Sequence, residues 1–308
     1  MSDFDTASNQ TKSTSKKVAA QAAILFFLLF LAGAAAVFTE WLCYVSGQQE
    51  YGRIAALAVE TRPADESPPS ASDFALPVPD PEAPVPSCGT PAFFQEPPPY
   101  SQGLSDPLEY NPADTGQAQQ SQIAAVNFSV LQAGNPDCAA WIEIPGTRIS
   151  YPVMYRADDG AFYLTHTYEL SETKAGAIHI DGACEGIDSR NLLIYGHTLL
   201  DGSMFTDLHR YKNPRFYQQH PFIYLHLPDG TVRRYLIAAC VLTQGEQESF
   251  YLWDFKDDAS AQAYYDQFAE QALYPTGVSV TADSQKQTLV LSTCTRRIYR
   301  RLIFAVEQ

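Results

Sequence analysis

A cysteine among arginines is the feature of the sequence best suited to covalent chemistry. Cys294 ends the strand-like stretch 288–293 and is followed closely by four arginines. Neighbouring guanidinium groups favour the thiolate, which is the form of sulfur that attacks a carbonyl carbon. A buried cysteine beside a basic edge strand would have the same local sequence, because edge strands often carry basic residues that prevent aggregation. Both interpretations stay open on the local sequence alone. The arginines are Arg296, Arg297, Arg300 and Arg301.

A histidine is the usual partner of a nucleophilic cysteine, because an imidazole can take up and return a proton near neutral pH. His197 follows the apolar run 192–195 and Gly196, so it leaves the end of a predicted strand at a glycine bend. A side chain at such a bend can be presented at the rim of a sheet. A lone histidine is also commonly structural, so both roles stay open for His197.

The elements that must position these residues are mostly strands. Short apolar or alternating segments are separated by turn signals such as Pro228-Asp229-Gly230, and this pattern predicts a mostly β barrel or sandwich with helices at its edge. The predicted strands cover 141–144, 149–154, 177–180, 192–195, 222–227, 232–242, 288–293 and 302–306.

Two segments have the spacing of helices. Apolar residues recur with a period near 3.6 between Asp257 and Tyr274, which predicts a helix inserted before the late strands. Ile123, Val126 and Leu131 predict a short amphipathic helix ahead of the first strand, stopped by the Gly, Asn and Pro that follow at 134–136.

The N-terminal third of the chain has a different organisation. Lysines in the polar residues 1–17 precede an apolar run, which predicts a membrane anchor and interface over 18–45 with the N-terminus in the cytoplasm. A cleaved signal peptide is the alternative, since small residues at 34–36 could form a cleavage site. Residues 61–120 hold 14 of the 21 prolines, so 46–120 is predicted to be a Pro-rich acidic extracellular stalk, or a disordered linker without a spacing role. The folded domain is predicted over 121–308.

The composition and the remaining cysteines exclude some classes of function. With 20 Lys+Arg and 35 Asp+Glu, the net charge of −15 excludes a nucleic-acid-binding protein. No CxxC spacing or metal-ligand motif occurs. Cys240 is predicted to be buried strand filler, and a disulfide involving Cys138 or Cys184 stays an open alternative for an exported chain.

Several ordered motifs together resemble the sortase family, and within it class B. They are Asn191-Leu-Leu-Ile-Tyr-Gly-His197, then Asp201-Gly-Ser-Met-Phe205, then Leu289-Val-Leu-Ser-Thr-Cys294. Weaker similarities occur at 141–147, 151–153 and 220–223, so the resemblance covers roughly 137–306. It implies an eight-stranded sortase-type β-barrel with N-terminal helices and an inserted helix before the late strands.

The resemblance also implies the catalytic residues. His197 and Cys294 match the family's catalytic pair, and the third member, an arginine just before the last strand, maps best onto Arg301. The connection from Cys294 to Arg301 is tighter than is usual for the class, so Arg300 or Arg297 stays an alternative for this role. No cofactor is implied.

The implied activity is that of a membrane-anchored cysteine transpeptidase. It would cleave a C-terminal sorting motif in secreted proteins and transfer the acyl group to an amine of a cell-wall peptide or a pilin. The implied location is a single-pass protein of a Gram-positive-type cell membrane, with the catalytic domain outside. Two alternatives remain: an exported cysteine hydrolase or protease, in which water resolves the thioester, and a non-catalytic surface binding domain.

Overall fold

The computed structural model describes residues 26–35, 38, 39, 45, 47–61, 123–245, 247–282, 286–295 and 298–308, and only the backbone of Cys294 and Thr295. The chain divides into two compact units, Met1–Glu50 and Tyr51–Gln308. In the first unit, residues 26–35 are helical and exposed. Within the part of the chain that the structure describes, no helix is both long and apolar enough to cross a membrane.

The second unit contains ten strands in its described residues, and eight of them form a closed barrel in the order β10-β8-β7-β3-β4-β5-β6-β9. The pairs β4–β5 and β6–β9 are parallel, and the other barrel pairs are antiparallel. The strands are β1 (Val59–Thr61), β2 (Ile123–Val126), β3 (Cys138–Glu143), β4 (Ser150–Met154), β5 (Ile178–Ile180), β6 (Asn191–Tyr195), β7 (Phe222–His226), β8 (Val232–Gln244), β9 (Thr288–Thr295) and β10 (Tyr299–Glu307).

Short helices surround the barrel. Three are α-helices: α1 (Phe128–Gly134), α2 (Pro214–Gln219) and α3 (Asp258–Glu270). Three are 3₁₀ helices, which lie at Phe162–Leu164, Thr206–Lys212 and Glu248–Phe250.

All eight strands predicted from the sequence occur in the barrel, with ends shifted by a few residues. The prediction succeeds because the central strands are apolar on both faces: the four residues Asn191–Ile194 of β6 are buried, as is Leu289–Leu291 of β9. The hairpin predicted at Pro228-Asp229-Gly230 joins the antiparallel strands β7 and β8. Gly230 has φ +86°, a conformation that glycine adopts without strain. The eight-stranded sortase-type barrel predicted from the sequence is confirmed.

Helix α3 begins where the sequence predicts and ends earlier. Asp257 caps it, accepting a hydrogen bond from Ser260 N, and the Ser260 side chain accepts one from Asp257 N in return. The prediction extended the helix to Tyr274, but the chain leaves it after Glu270. Leu273 N donates to Cys240 O (2.9 Å), so pairing with strand β8 replaces the last helical turn.

The short helix predicted from Ile123, Val126 and Leu131 is only half correct. Leu131 lies in α1, which ends at Gly134 as predicted, but Ile123 and Val126 belong to β2. Strand β2 pairs with β1, and Ile123 is buried there. A pairing partner distant in the sequence therefore overrides the local helical spacing.

Strand β1 and the helical residues before it lie in the predicted stalk, yet they form part of the folded unit. Residues 51–58 are helical, and Tyr51, Ile54 and Ala58 are buried. The Tyr51 hydroxyl donates to Gly176 O (2.9 Å), and its ring packs edge-on against Tyr151 with centroids 5.5 Å apart. The folded unit thus begins before the predicted domain boundary at 121. Residues 62–120 of the predicted stalk lie outside the described residues.

The β1–β2 pairing has a topological consequence, because Thr61 is the register partner of Ile123. We therefore expect that replacing residues 63–121 by a short Gly-rich turn keeps the melting temperature within about 3 °C of the full chain. A chain that starts at Ser121 instead loses three buried apolar residues, at about 1.5 kcal/mol or more for each large one. We expect it to melt about 5 °C or more lower. Thermal unfolding followed by circular dichroism measures both, and equal melting temperatures for the two variants would contradict the expectation.

Candidate active site

The parallel pairing of β6 with β9 aligns the two residues best suited to chemistry by their sequence context. The register runs without a shift from Asn191↔Thr288 to Tyr195↔Ser292, and Gly196 N then donates to Ser292 O (3.2 Å). His197 and Cys294 each follow the last register pair, Tyr195↔Ser292, by two residues. Both residues therefore lie at the same end of the barrel, where the two strands finish.

A glycine before His197 is required by packing. A Cβ atom at Gly196 would lie 2.6 Å from the ring of Phe205, closer than real side chains approach. Phe205 is fully buried, and its backbone N–H donates to His197 O (3.0 Å). The segment after β6 thus folds back under the strand end and leaves room for only a hydrogen atom at position 196.

The His197 ring is oriented by a backbone carbonyl. Its Nε2 lies 2.9 Å from Leu164 O, in the 3₁₀ helix Phe162–Leu164. A carbonyl oxygen can only accept, so Nε2 carries the hydrogen and donates it. In the neutral ring, Nδ1 is therefore the unprotonated nitrogen that is free to accept a proton. No sequence signal points to Leu164, because its contribution is a main-chain oxygen.

Stacked aromatic rings stand next to His197. Tyr195 stacks between His179 and Tyr251, with centroids 5.8 Å from each, and its hydroxyl donates to Asp181 Oδ2 (2.8 Å). The Tyr251 hydroxyl lies 3.2 Å from Ser292 Oγ. Burial lowers the pKa of His179, and the nearby His197 lowers it further. His179 is therefore neutral at pH 7 and adds no positive charge beside His197.

The two arginines nearest the last strand lie on different register positions. Arg300 is the partner of Cys294, whereas Arg301 is the partner of Thr293. Arg300 is half-buried, and Arg301 is 5% exposed with its Nη1 donating to Cys240 Sγ (3.5 Å). By this register, Arg300 is the arginine that lies across from Cys294. Arg296 and Arg297 lie outside the described residues.

Three other cysteines are buried and free: Cys138, Cys184 and Cys240. Among the residues that the structure describes, no disulfide therefore involves Cys138 or Cys184. Burial raises the pKa of Cys138 to about 12 and that of Cys184 to about 11, and it also raises the pKa of Cys240. The folded protein keeps these protons at pH values where the unfolded chain loses them. Their burial therefore contributes stability that falls as the pH rises from the ordinary value of 9.0 through 11 and above.

These pKa values predict selective alkylation. At about pH 8, a thiol with a pKa near 12 is ionised in only about one molecule in ten thousand, so iodoacetamide should modify Cys294 and leave the three buried cysteines intact. Peptide mass spectrometry after timed alkylation measures each site. In guanidinium chloride all four should react at similar rates. Modification of Cys184 in the folded protein as fast as Cys294 would contradict the prediction.

Comparisons with known proteins show which family the chain is similar to. The family model described as Sortase domain matches residues 142–308. Sortase B of Listeria monocytogenes is 30% identical over 168 residues, which make up 53% of this chain and 65% of that protein. Sortase B of Staphylococcus aureus is 28% identical over 168 residues, covering 54% of this chain and 67% of that one. The chain thus spans about two thirds of the length of the curated relatives it matches.

Solved structures show the same fold. The crystal structure of Clostridium perfringens sortase B has a TM-score of 0.55 and 25% identity, covering 59% of this chain and 99% of that chain. The Staphylococcus aureus sortase B–substrate complex has a TM-score of 0.54 and 24% identity, covering 59% of this chain and 84% of that chain.

Proposed function

Because this chain belongs to the sortase family, and within it to class B, we propose that it is a cysteine transpeptidase that sorts secreted proteins to the cell wall. The observation that supports the proposal is the unshifted β6–β9 register, because His197 and Cys294 each follow its last pair by two residues at one end of the barrel. A thiol and an imidazole at adjacent positions are the minimum that nucleophilic acyl transfer requires.

In the first half of the proposed reaction, the Cys294 thiolate attacks a backbone carbonyl of the sorting motif. The tetrahedral intermediate collapses to a thioester as the peptide C–N bond breaks, and the amine leaves with the proton that His197 took from the Cys294 thiol when the thiolate formed. Nδ1 is the nitrogen for this transfer, since Leu164 O holds the Nε2 hydrogen. In the second half, an acceptor amine attacks the thioester, His197 Nδ1 takes its proton, and the Cys294 thiolate is released.

We assign the arginine role to Arg300. Residues directly opposite each other on antiparallel strands share one face of the sheet, and Arg300 is opposite Cys294. A planar guanidinium there can donate two hydrogen bonds to the substrate carbonyl or the oxyanion. Arg301 is committed elsewhere, because its Nη1 donates to the buried Cys240. Of the two arginines that the structure describes here, Arg300 is therefore the one that the register favours.

The substrates and location follow from the same family. A Staphylococcus aureus sortase B has been solved with a substrate, and a sortase B has been solved in complex with triglycine. For this chain we propose secreted proteins with a C-terminal sorting motif as donors and an amine of a cell-wall peptide or pilin as acceptor. We further propose that residues 18–45 anchor it in the cell membrane with residues 1–17 in the cytoplasm. The catalytic domain within 121–308, extended by residues 51–61, would face outward.

Acyl transfer can be tested with a library of synthetic sorting-type peptides and triglycine as the acceptor. We expect a thioester adduct on Cys294 by mass spectrometry, discharged by triglycine to a new peptide bond. Cys294→Ala should form no adduct, and His197→Gln should slow adduct formation by about a hundredfold or more. Discharge by water alone at the same rate with and without triglycine would favour the cysteine hydrolase. Full transfer by Cys294→Ala would refute the mechanism.

The arginine assignment is tested by a matched pair of substitutions. Arg300→Lys keeps the charge and loses the planar fork, so we expect kcat/KM to fall about a hundredfold. Arg301→Lys should keep kcat/KM within about fivefold and act mainly on the melting temperature, since it changes a buried contact. A larger loss of kcat/KM for Arg301→Lys than for Arg300→Lys would return the role to Arg301.

A further inference from the structure

A hydrogen bond between two threonines links the segments that carry the catalytic pair. Thr198 follows His197, Thr293 precedes Cys294, and their Oγ1 atoms lie 2.9 Å apart. Thr198 Oγ1 also lies 3.0 Å from Nε2 of His209. Both threonines therefore flank the reacting residues, one on each strand end, and contact each other directly.

This contact lies where the backbone ladder between β6 and β9 stops. The last register pair is Tyr195↔Ser292, and the next backbone bond is from Gly196 N to Ser292 O. Beyond Gly196, the described residues show no backbone hydrogen bond from this segment to β9. The Thr198–Thr293 bond is a side-chain link between the segment after Gly196 and β9, made after the segment has left the register of the ladder.

The Thr293 end of this bond is shielded from water, while Thr198 and His209 are partly buried. Thr293 is 2% exposed, and its register partner is the buried Arg301. His209, which holds Thr198, lies in the 3₁₀ helix Thr206–Lys212, and this helix packs against both β9 and β10. A hydrogen bond shielded from water is stronger than an exposed one, and breaking it leaves a buried hydroxyl unsatisfied.

We propose that Thr198 and Thr293 are positioning residues for acyl transfer: their hydrogen bond, anchored on His209, holds the segment that carries His197 against the end of β9 that carries Cys294. The proposal rests on the proposed transpeptidase function, because it concerns the same site. Proton transfer requires the imidazole and the sulfur to stay within hydrogen-bond reach. Small misplacements of such groups cost large factors in rate without weakening substrate binding.

The chain supplies its own matched control at the other end of the same strand pair. Thr288 Oγ1 donates to Asn191 Oδ1 (2.8 Å), so it too is a buried threonine that links β9 to β6. It lies five residues or more from the catalytic end along each strand. Thr288→Val removes a comparable hydrogen bond and makes the same change of side chain as Thr293→Val. A loss of activity that both variants share therefore reports a loss of stability alone.

The first test measures turnover in the full chain, using the library peptide that gives the highest yield of thioester and triglycine as the acceptor. We expect Thr293→Val and Thr198→Val each to lower kcat about tenfold with KM within about twofold. Thr293→Ser, which keeps the hydroxyl, should restore kcat, and Thr288→Val should leave it within about twofold. The double Thr198→Val/Thr293→Val variant should lose little more than either single one, because both remove one bond. Additive losses, or equal losses at Thr288 and Thr293, would overturn the proposal.

A second test needs no activity and separates failure of this proposal from failure of the proposed function. In a His197→Cys background, diamide oxidises the thiols at positions 197 and 294 to a disulfide, at a rate set by how often the two positions meet. Adding Thr293→Val should slow this cross-link about fivefold, while adding Thr288→Val or Thr293→Ser should not. Peptide mass spectrometry identifies the bridge. Equal cross-linking rates for Thr293→Val and Thr288→Val would contradict the positioning role even if transpeptidation is confirmed. If the wild type shows no acyl transfer, the proposed function fails, and the cross-linking rates still decide whether the threonine bond positions residue 197.

Discussion

The parallel pairing of β6 with β9 is the constraint on which the proposed chemistry depends. These strands are far apart in sequence, and the connection between them contains β7, β8 and α3. No turn can enforce their alignment, so the register is set by buried side chains and the ladder itself. A slip of one residue would move His197 alongside Thr293 or Thr295 and turn alternate side chains to the opposite faces. The fully buried Leu192 and Leu289, opposite each other in the ladder, make such a slip costly because they would lose their core packing.

The alternation of side chains along a strand also gives adjacent residues different roles. Arg300 and Arg301 differ by one position, yet one is the register partner of Cys294 and the other is buried against Cys240. The same holds on β9, where Ser292 contacts Tyr251 while Thr293 contacts Thr198. One side of the sheet end is thus available for the reaction, and the other is a packed layer that supports it. Adjacent residues that look interchangeable in the sequence, such as Arg300 and Arg301, have different surroundings because successive side chains of a strand point to opposite faces of the sheet.

Much of the fold could be predicted because the barrel strands occur in the sequence as apolar runs between turn signals. The pairing of β6 with β9 could not be predicted, since neither periodicity nor composition encodes which strands pair. The helix predicted at Ile123 and Val126 is wrong for a related reason: the partner of their strand, β1, lies across a long Pro-rich segment. The choice between Arg300 and Arg301 needed the register, and Leu164 acts through an oxygen that every residue possesses. His179 and Tyr251 were missed because only the folded chain stacks them on Tyr195.

The two-stranded β1–β2 ladder limits the role that the Pro-rich segment can have as a spacer. Thr61 and Ile123 are register partners, so the two ends of the segment between them are neighbours in the structure. A longer segment would therefore not increase the distance between residue 58 and α1. The entropic cost of closing such an excursion grows only logarithmically, by about 0.6 kcal/mol for each doubling of its length. Its length is therefore nearly free to change, whereas the residues that precede Val59 would set any spacing between the barrel and the membrane anchor proposed at 18–45.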